Sequence, residues 1–132
     1  METKLTETLE GLTAQQFAVG NDLVFVPGFE PSLTPGFKNK VYTEQEIAWC
    51  DQFADSLLRY ASTWAAKEAV YKAVKQLDKT TAGWKKIEII REKIGGRPHV
   101  ILHQPQLSAI NVSLSITHDG DYAWAVAIAK VK

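Results

Sequence analysis

Trp64-Ala65-Ala66-Lys67-Glu68-Ala69-Val70-Tyr71-Lys72-Ala73 is the stretch that orders the rest of the chain. Ala66, Ala69, Val70, Ala73, Val74 and Leu77 recur at i, i+3, i+4 and i+7. That spacing predicts an amphipathic helix starting near Ser62, with one buried stripe. Glu68 and Lys72 sit one turn apart, off that stripe. Their plain explanation is a surface ion pair, with the glutamate first, the favoured order. A sharper one is a carboxylate for a metal and an ammonium for a phosphate, both on one rigid helix. Lys67 and Lys75 add positive charge nearby. Spacing alone leaves both explanations open.

Outward toward the N-terminus, Thr43-Glu44-Gln45-Glu46 forms a capping box, which opens an earlier helix. That helix is expected to bury Ile47, Cys50, Ala54, Leu57 and Leu58. Residues 27–41 contain Pro27, Gly28, Pro31, Pro35 and Gly36, and predict a long loop with at most one helical turn. Residues 17–26 read as a strand. Asp22 lies in it among Val19, Leu23, Val24 and Val26. A buried carboxylate must be paired or bind a metal; an aspartate at a strand end can simply face water. Residues 1–16 are polar, with Leu5, Leu9 and Leu12 at helical spacing, and suit a short amphipathic helix or a loose segment.

Toward the C-terminus the pattern changes to strands. Residues 86–91 and 99–103 flank Gly95-Gly96. Val112, Leu114 and Ile116 alternate with Ser113, Ser115 and Thr117, as in a half-buried strand. Asp119-Gly120 marks a hairpin turn into residues 122–131. There Ala123, Ala125, Ala127 and Ala129 share one face, small enough for a helix to pack closely. The sum is an α+β domain: a strand, two helices, then antiparallel hairpins. His118 is either a plain turn residue or a ligand-facing imidazole near Asp119 and Asp121. Gly95-Gly96-Arg97-Pro98 is first a hairpin connection. Glycine there also permits close backbone approach to a ligand, and Arg97 can grip a phosphate.

The chain's 132 residues suit one domain. Fifteen basic and fifteen acidic residues cancel, which argues against a nucleic-acid binder. One cysteine allows no internal disulfide and fits a reducing compartment. No apolar run reaches membrane-spanning length, and Met1-Glu2-Thr3-Lys4 opens no apolar signal segment. A soluble, cytoplasmic protein with no membrane partner is expected. Walker loops, G-x-S-x-G elbows and cysteine–histidine clusters are missing from the sequence. Asp22 plus Glu68 would suit Mg²⁺ and leave positions for phosphate oxygens, but nothing local brings them together.

Three segments, in order, carry a resemblance. Val19-Gly20-Asn21-Asp22-Leu23-Val24 is similar to a G-x-D strand. The helix stretch at 64–73 matches W/F-x-x-K-E-A-x-x-K. Ser113-Leu114-Ser115-Ile116-Thr117-His118-Asp119 is similar to S-[IL]-[ST]-H-[ED]. With Ile87-Glu88-Ile89 and Gly96-Arg97-Pro98 between them, the chain resembles the holo-acyl-carrier-protein synthase family over residues 18–131. The resemblance implies the 4'-phosphopantetheinyl transferase fold, a small antiparallel sheet packed against a long helix, assembled as a homotrimer with shared active sites. It implies Mg²⁺-dependent transfer of 4'-phosphopantetheine from coenzyme A to a serine of an apo acyl carrier protein, or of a carrier domain of a fatty-acid synthase. Asp22 and Glu68 would be the Mg²⁺ ligands, with Glu68 or a water it holds as general base. Lys72 and His118 would contact coenzyme A phosphates, and Arg97 and Pro98 would line the nucleotide pocket. Residues 17–132 would be the transferase domain and residues 1–16 an N-terminal extension without a family counterpart.

Two departures carry expectations of their own. Many family members follow the aspartate with an arginine-rich helix that grips an acidic carrier; residues 23–41 have no arginine, only Lys38 and Lys40. Capture of a small acidic carrier should weaken, so a partner other than a free-standing acidic carrier is expected, a carrier domain inside a large fatty-acid synthase being one candidate. Members also often place a base just before the aromatic of the helix motif, where this chain has Thr63. The rival classes are a non-catalytic coenzyme A- or nucleotide-binding domain and a purely structural trimerisation domain. Asp22, Glu68, Lys72 and His118 occurring together weigh against the first, and the second needs no acidic residue in the first strand.

Overall fold

The computed structural model describes residues 17–80 and 82–132. Its first strand, β1 (Phe17–Phe25), forms the edge of an antiparallel sheet ordered β1-β5-β4, with β4 at Ile110–Asp119 and β5 at Tyr122–Val131. A second, two-stranded sheet pairs β2 (Ile87–Ile90) with β3 (His99–Leu102). Four α-helical pieces intervene: α1 (Val26–Phe29), α2 (Pro35–Val41), α3 (Glu44–Asp51) and the long α4 (Ser56–Leu77). No helix among the described residues is long and apolar enough to cross a membrane. The leucine pattern of residues 1–16 lies outside the described residues.

Small side chains set how closely α4 meets the sheet. Ala123, Ala125, Ala127 and Ala129 of β5 are fully buried, as are Ala66, Ala69 and Ala73 of α4. At Gly20 the approach is closer still. A Cβ there would collide with the Ala69 carbonyl and lie 2.7 Å from the Ala73 amide nitrogen. The same alternation puts Ala18, Gly20, Asp22 and Val24 toward the helix. The opposite face is open and apolar. Phe17, Val19, Leu23 and Phe25 of β1 and Tyr122, Trp124 and Ile128 of β5 are each between 43% and 59% exposed.

The capping box closes as expected: Thr43 Oγ1 accepts from Glu46 N (3.2 Å) and Glu46 Oε1 accepts from Thr43 N (2.8 Å). Its helix ends sooner than expected, at Asp51, and Ala54 is exposed. Leu57 and Leu58 belong to the next helix, which starts at Ser56 instead of near Ser62. Residues 27–41 are largely helical, not a loop. Pro27, Pro31 and Pro35 each fall at the first or second position of a short helical piece. A missing N–H has no cost there, so these prolines start helices instead of breaking them. Thr34 Oγ1 caps α2 by accepting from Phe37 N (3.1 Å).

Lys67 departs most from the sequence expectation, for it is fully buried and adds nothing to a basic surface. Its ammonium donates to Trp84 O (2.7 Å), Ile87 O (2.6 Å) and Glu46 Oε1 (2.8 Å). Glu46 Oε2 accepts from Ile89 N (2.8 Å). The pair ties α4 to α3 and β2, with every ammonium hydrogen satisfied, as a buried charge requires.

Candidate active site

Asp22 faces α4 because it shares the inward alternation of Gly20 and Val24, and its side chain is only 13% exposed. Lys72 reaches across from the helix. Its Nζ donates to Asp22 Oδ1 (3.0 Å) and to Asn21 O (3.2 Å). The expected surface pair with Glu68 is thus replaced by a bridge to the strand. Glu68 stands one turn earlier with its carboxyl against that of Asp22. Burial, then the hydrogen bond and the negative charge of Asp22, raise the Glu68 pKa to about 7, while Lys72 pulls it down.

Two carboxylates pressed together at a sheet edge are a donor set for a hard divalent cation. No cluster of three or more His, Cys, Asp or Glu occurs among the described residues. A cation held by Asp22 and Glu68 would keep its other positions for water or phosphate oxygens, the coordination Mg²⁺ favours. The residues present fit that ion.

The other expected site residues lie elsewhere. Pro98 and His118 line a cavity of about 380 Å³ beside the first turns of α4, with Arg59, Arg91, Lys93 and Ile116. Arg97 instead borders a smaller hollow of about 100 Å³, with Lys93 and His99. Asp22 and Ile116 both pair with Ala125 of β5, so two strand spacings, about 10 Å, separate them. Helix α4 packs on both β1 and β5, with Gly20 against its backbone. One chain therefore gathers Asp22, Glu68 and Lys72, gathers Pro98 and His118, and holds the two groups apart.

Sequence reasoning missed several participants. Arg91 donates from Nη2 to Thr63 Oγ1, so the spot that threonine was expected to leave uncharged has a guanidinium after all, supplied from the end of β2. Nothing local marks Arg91 for that place. Lys67 had a signal: it lies three and seven residues before Val70 and Val74, on a buried face of the helix.

A family model described as the 4'-phosphopantetheinyl transferase superfamily matches residues 18–127. The holo-[acyl-carrier-protein] synthase of Chlorobaculum parvum is 40% identical over 94 residues, covering 71% of this chain and 79% of that protein. The fatty acid synthase alpha subunit hexA of Dothistroma septosporum is 38% identical over 117 residues, covering 83% of this chain but 7% of that much longer protein. Among solved structures, the Chronobacterium ammoniagenes ACPS-CoA complex superposes with a TM-score of 0.74 at 30% identity, covering 88% of this chain and 98% of its own.

Proposed function

The chain belongs to the 4'-phosphopantetheinyl transferase superfamily, and from that premise we infer that it is a holo-[acyl-carrier-protein] synthase. It moves 4'-phosphopantetheine from coenzyme A to a serine of an apo acyl carrier protein or carrier domain, and releases 3',5'-ADP. The observation that carries this reading is the meeting of Asp22, Glu68 and Lys72 where α4 lies on β1, in a chain of this family. Relatives named as holo-[acyl-carrier-protein] synthases and a similar structure solved with CoA support it.

Asp22 and Glu68 are the residues that would hold Mg²⁺, which when bound neutralises charge on the pyrophosphate. Lys72 places a second positive charge beside the same phosphates. The carrier serine attacks the β-phosphorus of coenzyme A through its Oγ. Glu68, or a water it holds, takes the serine proton. The bond from that phosphorus to the bridging oxygen breaks, and its electron pair leaves on 3',5'-ADP. Positioning and charge do most of the work, as in phosphoryl transfer generally.

The site is completed between copies. The Asp22 group of one subunit faces the Pro98 and His118 cavity of a neighbour in a homotrimer, with Arg97 and Pro98 bordering the nucleotide. The separation of the two groups supports this, as does the open apolar sheet face, since large exposed apolar patches mark interfaces. Residues 17–132 make up the transferase domain, preceded by the extension 1–16. It acts in the cytoplasm, in keeping with a free thiol at Cys50.

The natural acceptor is a carrier domain of a large fatty-acid synthase. Residues 23–41 lack arginine, and Lys38 is engaged over the Tyr60 ring, 4.6 Å from its centroid. Similarity to a fatty acid synthase alpha subunit supports the same acceptor.

Intact-protein mass spectrometry of apo carriers incubated with the protein, coenzyme A and Mg²⁺ tests the reaction. A phosphopantetheine mass gain is expected, absent with Glu68→Ala or a chelator. Coenzyme A binding with no gain on any carrier would instead establish a non-catalytic binding domain.

A further inference from the structure

Glu68, Lys72 and Gln76 stand on successive turns of α4 and face β1. β1 is an edge strand, and carbonyls on the open side of an edge strand have no strand to pair with. The helix supplies donors instead. Gln76 Nε2 donates to Val19 O (2.8 Å), and Lys72 Nζ donates to Asn21 O (3.2 Å). The same Nε2 also donates to Lys72 O (3.0 Å), one turn back in its own helix. Both amide hydrogens of Gln76 are therefore used.

The spacings of helix and strand agree at this contact. Four helical residues rise about 6 Å, and two strand residues about 6.8 Å. Successive turns of α4 thus meet alternate carbonyls of β1, with helix and strand running in opposite senses. One turn beyond Lys72 the donors run out. Glu68, when ionised, can only accept, and it lies against the Asp22 carboxyl. Gly20, Ala69 and Ala73 set how near helix and strand come. Such small, smooth surfaces do not fix where the helix stops along the strand. Directional hydrogen bonds do.

We propose that Gln76 is a positioning residue for the carboxylate pair: its amide fixes the register of α4 on β1, so that Glu68 stays opposite Asp22 when Lys72 turns from the strand to the phosphates of coenzyme A. This rests on the transferase reading above and adds the residue that keeps the two carboxylates in place. Lys72 is engaged by Asp22 (3.0 Å) and Asn21, and a phosphate beside it competes for the same ammonium. Gln76 is uncharged and lies two turns from Glu68, about 11 Å along the helix, so the exchange leaves it bound to Val19. It touches neither metal nor substrate. It acts through the strand, as residues behind metal ligands do.

The test is calorimetric titration of Mg²⁺ into the full chain with coenzyme A present and no carrier, at about 0.15 M salt, which screens charge over that distance. Melting temperature and transfer kinetics are read beside it. Gln76→Leu keeps the bulk and removes the donor. Position 76 is exposed, so the melting temperature should hold. Mg²⁺ should bind about tenfold more weakly, the lower end for loss of a group that orients a metal ligand. kcat should fall by a similar factor, and KM for the carrier should not move. Gln76→Lys returns a donor of similar reach and should recover most of the Mg²⁺ affinity. Gln76→Glu sets an acceptor against two carbonyls and should do no better than Gln76→Leu. Unchanged Mg²⁺ affinity in both Gln76→Leu and Gln76→Glu, or equal weakening in Gln76→Leu and Gln76→Lys, would overturn the proposal while transfer by wild type upheld the enzyme. Wild type that transfers without binding Mg²⁺ would overturn it as well. Wild type that neither binds Mg²⁺ nor transfers would overturn both.

Discussion

Asp22 places a carboxylate where the strand's inward row is otherwise small and apolar. It sits on the helix-facing side of a strand whose other inward residues are small and apolar, and its nearest partners are an ammonium and a second carboxyl. Asp22→Asn keeps the shape and removes the charge. If Asp22 is a Mg²⁺ ligand as proposed, the chain should remain folded, with an unchanged melting temperature, while transfer falls on the order of a hundredfold or more, since the cation would lose a charged ligand. Full activity in that variant would leave only a structural role for the site. Glu88 sets a different test. Burial pushes its carboxyl up, but the Thr43 hydroxyl (2.6 Å) and the His103 ring (3.0 Å) outweigh that and hold it below the ordinary glutamate range. A depressed folded value means stability that is present above the unfolded value and lost as pH falls through the folded one. Melting temperatures followed from about pH 6 to about pH 3 should therefore drop less steeply in Glu88→Gln than in wild type. Parallel curves would refute the assignment.

At the scale of elements, the contact of α4 with β1 sets the distance between Glu68 and Asp22. Gly20→Ala would drive a Cβ into the Ala69 carbonyl and force helix and strand apart. Overpacking of this kind costs about 1–3 kcal/mol. Urea unfolding should register that loss, and transfer should fall with it because the carboxylates separate. A Gly20→Ala chain as stable and active as wild type would show the contact to be loose. Helices α1 and α2 raise a question of partner choice. Ser32, in the 3-10 turn between them, and Asn39 of α2 are both exposed. Arginine at both should improve use of a free acidic carrier, seen as a lower KM that salt reverses. No change in KM would remove the electrostatic account of carrier choice.

At the scale of the whole molecule, the separation of Asp22, Glu68 and Lys72 from Pro98 and His118 makes a strong prediction about assembly. Asp22→Asn and His118→Ala chains, each inactive alone, should regain part of the activity when unfolded together and refolded as mixed oligomers, because some interfaces then pair two intact halves. Continued inactivity of the mixture would argue for sites complete within one chain. Much of this architecture was legible in the residues themselves. The helix of 64–73, the Thr43–Glu46 capping box and the alternation of Ala123 to Ala129 are periodic or local signals, set by neighbours two to four positions away. Such signals survive in any tertiary context that keeps the element. The prolines of 27–41 misled because the same residue breaks a helix inside and starts one at its first turn. Other features lay beyond local pattern. Lys72 meets Asp22 across 50 residues of chain, and Arg91 meets Thr63 across 28. Lys67 is buried because Ile87 of β2 and Trp84, in the turn just before it, bring two carbonyls to it. By itself the sequence determined the long helix, the capped helix before it, the strands with their alternating faces, and the membership of the family. Only the tertiary structure decided which charges meet, because that depends on strand register and on a helix resting on glycine and alanine, neither of which any single position encodes.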